Sequence, residues 1–209
     1  MTGVLAAPGR IVALAASIVV ATACGRVSHL AGPDVAPALA CTGYEPQDRS
    51  PFVLPYPPGT AYLVLQGNCG PFTHWPGDVF KYGYDFTMPV GTPVHAARGG
   101  AVMAIEDRYP DGDGTPGEEN FVFVRHDDGT IGRYFHLTRG GVRVTVGEAI
   151  AAGTLVGLSG NTGRTNGVPH LHFDVAVCPP TSCRTLPVVF RNTRPHPAGL
   201  VQGEVYEAW

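Results

Sequence analysis

Pro169-His170-Leu171-His172-Phe173-Asp174-Val175 alternates polar and apolar residues, the pattern of a half-buried β-strand. Side chains on a strand point alternately to its two faces. His170, His172 and Asp174 therefore share one face, and Leu171, Phe173 and Val175 turn toward the core. Two imidazoles at this spacing can both reach one metal ion, or one can ligate while the other handles a proton. Two solvent-facing histidines are the plain alternative.

Around this strand the composition points the same way. The 209 residues include 28 glycines and 20 prolines, and no long stretch carries helical apolar periodicity. An all-β domain with many tight turns is expected. Short apolar runs (Ala61–Leu65, Ala101–Ile105, Phe121–Val124, Gly132–His136) alternate with Gly/Pro/Asp turns, and Asp127-Asp128-Gly129 reads as a hairpin turn. In Tyr134-Phe135-His136-Leu137 the same alternation puts Tyr134 and His136 on one face, Phe135 and Leu137 on the other. A net charge of −3 gives no reason to expect a nucleic-acid partner.

At the N-terminus, Arg10 precedes the apolar run Ile11 to Ala23, of a length suited to a signal peptide and short for a membrane span. The run ends Ala21-Thr22-Ala23-Cys24, which resembles the lipobox of bacterial lipoproteins, with Cys24 as the lipidated residue. Ala21 stands where such motifs usually carry leucine, so ordinary cleavage after Ala23 competes. Setting Cys24 aside leaves four cysteines and three possible pairings. The short spacing of Cys178 and Cys183 favours a local bridge, which leaves Cys41 with Cys69. The expected organisation is a signal peptide over 1–23, a tether and lead-in over 24–55, a compact β-domain over 56–177, and a disulfide loop with tail over 178–209.

Tyr82-Gly83-Tyr84-Asp85-Phe86 sets a carboxylate in an apolar, strand-like context, where an unpaired charge is costly and a divalent metal would be a partner. Two histidines and an aspartate, with a fourth position for water, make a catalytic zinc arrangement. The ordered series Asp85-Phe86, Pro89–Val94, Ala97–Val102, Tyr134–Leu137, Val146–Gly163 and His170–Phe173 resembles the M23 (LytM/lysostaphin-type) zinc metallopeptidases. These enzymes cut peptide bonds in bacterial peptidoglycan.

The resemblance implies a compact antiparallel β-domain of the duplicated hybrid (barrel-sandwich) type with long loops around a groove. It implies Asp85 and His172 as ligands to Zn2+, and His136 and His170 as the catalytic histidines that do not bind metal. Ser159-Gly160-Asn161-Thr162-Gly163 would be a turn whose backbone borders the cleft. One position departs from the family pattern. His-x-Gly-x-Asp has its histidine four residues before the aspartate, and here that residue is Lys81, whose protonated amine cannot ligate. Either His74 reaches back into the site as the first ligand, or the site lacks a ligand and the domain is inactive.

The first expectation is a zinc endopeptidase acting on peptidoglycan stem or cross-link peptides, exported to the cell envelope as a monomer. An inactive M23-like envelope protein that binds wall or activates another hydrolase is the second, and a secreted peptidase against other proteins the third. His170 is the expected general base, with His136 helping at the oxyanion. Asp111-Gly112-Asp113-Gly114, with Glu118 and Glu119, lacks the spacing of a calcium loop and reads as a solvated turn. His95 and His126 read as structural or exposed; His29 and His196 have no ligand-like neighbours. Trp75, Tyr82 and Tyr84 are candidates for lining a groove, though such aromatics are more often core.

Overall fold

The apolar runs become strands, and one antiparallel sheet gathers most of them. The computed structural model describes residues 41–179 and 182–209, so the signal segment, Cys24 and His29 lie outside it. Eleven strands follow in chain order: β1 (Ala61–Gln66), β2 (Tyr84–Thr87), β3 (Pro93–His95), β4 (Gly100–Glu106), β5 (Phe121–Arg125), β6 (Ile131–Phe135), β7 (Ala149–Ile150), β8 (Leu155–Leu158), β9 (His170–Val177), β10 (Arg184–Thr185) and β11 (Val205–Glu207). The large sheet runs β11-β1-β2-β9-β6-β5-β4-β7, with β10 on the end of β9, while β3 and β8 pair separately. A single 3-10 turn at Gln47–Arg49 is the only helical element among the described residues. Asp127-Asp128-Gly129 makes the β5–β6 turn, with Gly129 at a φ of 81° that suits glycine.

Register sets the site. In β2 and β9, Tyr84 pairs with Phe173 and Phe86 with Leu171, and all four side chains are buried in the core. The alternate pair, Asp85 and His172, therefore faces away from that core. The row continues across the sheet, because Gln66 on β1 opposes Asp85 and Phe135 on β6 opposes His172. One step along β9, Asp174 opposes Arg133 of β6. The expectation that β9 is half-buried needs correcting: His170, His172 and Asp174 are buried as well. A central strand loses one face to the core and here loses the other to the loops above it.

The segments flanking 56–177 share this core. Phe52 and Leu54 on one side and Phe190 and Tyr206 on the other are buried in the same apolar cluster, and β11 pairs with β1. His196 helps pin the tail, with its Nε2 accepting from the Phe190 N–H at 2.9 Å. Disulfides join Cys41 to Cys69 and Cys178 to Cys183.

Candidate active site

Asp85, His172 and His74 converge on one point above the sheet. His172 Nδ1 lies 2.9 Å from Asp85 Oδ1 and 3.3 Å from His74 Nε2, and His74 Nε2 lies 3.5 Å from Asp85 Oδ1. Among the described residues this is the one group of three such side chains whose donor atoms all fall within 4.8 Å of one another. Lys81 is absent from it; its Nζ stands 4.8 Å over the Tyr82 ring.

How the loop over 67–83 returns His74 is visible in its hydrogen bonds. The Cys69 N–H donates to the Lys81 carbonyl at 2.8 Å, closing the base of the loop. Gln66, at the end of β1, donates from Nε2 to both Thr73 Oγ1 and Asp85 Oδ2 at 2.9 Å, and its Oε1 accepts from the Thr73 N–H. One side chain thus anchors the residue before His74 and one oxygen of Asp85, leaving Oδ1 toward the imidazoles. His74 itself is fully buried, and its Nδ1–H donates to the Gly67 carbonyl, which turns Nε2 to the site. Gly83 lies against the cluster: a Cβ there would stand 2.6 Å from His172 Cε1 and 3.0 Å from His74 Nε2.

His136 and His170 stand beside the triad with ring centroids 4.6 Å apart. Their face assignment differs from simple alternation. Tyr134 is buried in the core, and Phe135 lines the groove beside His172. The strand ends there, and His136 adopts a φ of 63°, a left-handed conformation uncommon for a non-glycine residue. That turn brings His136 onto the same side as Phe135, while Leu137 is buried. Backbone strain at a site residue is a recurring feature of functional positions.

Both histidines have the same tautomer. His136 Nδ1–H donates to the Thr162 carbonyl at 2.8 Å, and His170 Nδ1–H to the Val168 carbonyl at 2.7 Å, which leaves each Nε2 lone pair free. Thr162 belongs to the glycine-containing turn at 159–163, so that backbone does border the site. The acidic loop has a use here as well. Asp111 accepts from Thr138 Oγ1 and the Asn161 N–H, and Asp113 accepts from the Gly163 N–H, so these carboxylates hold the turn in place.

Burial and charge set the protonation states. Burial lowers His74 to about 4, and burial with the neighbouring His170 and His172 lowers His136 to about 3. Burial opposes charge on His172 too, but hydrogen bonds to Asp174 and Asp85 push it up to about 9. Burial would raise Asp85, yet the His172 hydrogen bond and charge hold it well below the usual carboxylate range. A cation at Nδ1 of His172 would take the place of the proton that Asp85 Oδ1 favours there, while Asp174 faces the opposite ring nitrogen, Nε2.

The groove continues on both sides of His172 and is walled by Thr73, Phe80, Phe135, Glu119 and Arg164. Of the aromatics singled out in the sequence, Tyr84 is core and Tyr82 hydrogen-bonds the Thr42 carbonyl. Trp75 is 52% exposed. None of the three lines the groove. Phe72, Phe80 and Gln66 also border the groove, and no local motif marks them; Phe135 lies within a motif whose alternation puts it on the face opposite His136.

A buried His–Asp–His donor set that opens on a groove beside two further imidazoles is an arrangement able to hold a metal ion next to groups that can move protons. Residues 79–181 match the model of Peptidase family M23, and the chain belongs to that family. His74 lies upstream of the matched stretch. The peptidoglycan DD-endopeptidase ShyA of Vibrio cholerae is 38% identical over 95 residues, 46% of this chain and 20% of that protein. Lysostaphin of Staphylococcus staphylolyticus is 34% identical over 105 residues, 50% of this chain and 20% of that protein. The matches thus span about a fifth of these relatives. The solved structure of the deep-sea M23 metalloprotease pseudoalterin shares the fold, with a TM-score of 0.50 at 18% identity, over 76% of this chain and 95% of that one.

Proposed function

We propose that this chain is a zinc-dependent endopeptidase that hydrolyses peptide bonds in bacterial peptidoglycan. The observation that carries the reading is the triangle formed by His74 Nε2, Asp85 Oδ1 and His172 Nδ1. Donors bound tetrahedrally to zinc at about 2.0–2.1 Å stand about 3.3 Å apart. The observed sides of 2.9, 3.3 and 3.5 Å fit that shell, and the two nitrogens and one carboxylate oxygen suit zinc. When bound, such an ion polarises the scissile carbonyl and acidifies the attacking water.

The chain's own residues supply the rest. His74, Asp85 and His172 hold the ion, with Gln66 fixing the free oxygen of Asp85. His170 offers Nε2 to a proton of the attacking water and passes it to the leaving amine as the C–N bond breaks. Its Nε2 lies 3.9 Å from Asp85 Oδ1, on the donor side of the groove. His136 also begins as an acceptor, so it can steady a developing oxyanion only after taking up a proton. The names of the curated relatives, a peptidoglycan DD-endopeptidase and lysostaphin, support a wall substrate. Two disulfides and the apolar N-terminal run support export to the cell envelope, with Cys24 as lipid anchor.

The test is metal analysis joined to a digestion assay. Purified protein is expected to hold one zinc per chain and to cleave cross-linked muropeptides, exposing new amino termini. His74→Ala is expected to lose both properties. Zinc retained in full by that variant overturns the ligand assignment. Muropeptides left intact by the zinc-loaded protein, with glycine-rich or other peptides cut instead, overturn the wall substrate.

A further inference from the structure

The site so far leaves one buried ion pair without a role. Arg133 on β6 and Asp174 on β9 are cross-strand partners, both buried. The guanidinium binds the carboxylate with two hydrogen bonds, Nε to Oδ1 at 2.7 Å and a terminal nitrogen to Oδ2 at 2.8 Å. Such a pair is weak evidence for stability, since the cost of desolvating two charges offsets most of their attraction, and apolar residues of similar volume often serve as well. Its geometry shows another use. Asp174 Oδ2 also lies 3.0 Å from His172 Nε2.

His172 presents Nδ1 to His74 and Asp85. A neutral imidazole that ligates through Nδ1 carries its proton on Nε2, and an acceptor on that side selects this tautomer and fixes the ring. Asp174 is that acceptor. Arg133 is fixed in turn: its guanidinium carbon lies 5.4 Å from the ring centroids of both Phe80 and Phe135, which wall the groove beside His172.

We propose that Asp174 and Arg133 are positioning residues for the metal centre, a chain in which Arg133 orients Asp174 and Asp174 orients His172. The inference rests on the metal-site reading above. It assigns the ion pair to ligand geometry and not to joining β6 with β9.

The two roles separate in the double variant Arg133→Met/Asp174→Leu. An apolar pair removes both buried charges together, so thermal unfolding is expected at or near the wild-type temperature. Metal affinity, measured by chelator competition, is expected to fall about 10- to 100-fold, because the Nε2–H has lost its acceptor. Wild-type metal affinity in a folded double variant overturns the proposal. Should the variant fail to fold, the wild type itself gives the answer by NMR. The metal-loaded protein is expected to show a downfield, slowly exchanging Nε2–H resonance for His172, and its absence overturns the proposal. A wild type that takes up no metal overturns the metal-site reading itself, and this inference with it.

Discussion

Gly83→Ala adds one methyl group at the point where His74 and His172 come closest to the backbone. The new Cβ would stand 2.6 Å from His172 Cε1 and 3.0 Å from His74 Cε1 and Nε2. Carbon atoms in contact prefer about 3.5–4.0 Å, so the His172 ring must retreat by about 0.9 Å. It has little room, since the Phe80 and Phe135 rings lie 5.2 and 5.6 Å from its centroid. Gly83 is not in the left-handed region, so alanine carries no backbone penalty and the effect is confined to the site. Overpacking of this kind costs about 1–3 kcal/mol. Borne by the metal-loaded state, that weakens metal binding by about 5- to 150-fold. Chelator competition at fixed pH reads the affinity, and circular dichroism reads the fold. A folded Gly83→Ala protein whose metal Kd stays within about twofold of wild type refutes the reasoning.

Three further outcomes follow from the same geometry. Gln66→Leu removes the side chain that ties Thr73 to Asp85, and metal affinity should fall about tenfold or more by analogy with other residues that orient ligands; unchanged binding in isothermal titration would count against that anchor. His170→Ala should lower kcat by about 10²- to 10⁴-fold while metal content stays at one per chain, and His136→Ala should do likewise if it moves a proton. Loss of metal in either variant would make it a ligand instead. In chelator, thermal stability should peak near pH 6.5. Burial lowers His74 to about 4 and His136 to about 3, so their contribution is full above pH 6.5 and is lost as pH falls through those values. His172 works the opposite way: burial opposes its charge, but Asp174 and Asp85 raise it to about 9, so its contribution fades as pH rises from 6.5 through 9. A flat profile from pH 4 to 9 would contradict both.

Local pattern carried much of the reading. Alternation placed Leu171 and Phe173 in the core and His170, His172 and Asp174 opposite, because a strand's period of two is a property of its own backbone. The same rule failed at His136. Its φ of 63° reverses the face, and its Nδ1–H is held there by the Thr162 carbonyl of a distant turn. Phe80 and Arg133 escaped notice because their neighbours in space are far away in the chain.

The amino-acid order alone carried the all-β class, the turns and the motif order that resembles the family, and it favoured the disulfide pairing that the structure contains. Each of these rests on local periodicity, turn chemistry or motif order. Only the tertiary structure decided that His74 meets Asp85 and His172. That meeting depends on Gln66 gripping Thr73, on the Gly67 carbonyl turning the imidazole, and on Gly83 leaving space. Side chains brought together by cross-strand register and loop closure leave no periodic trace along the sequence.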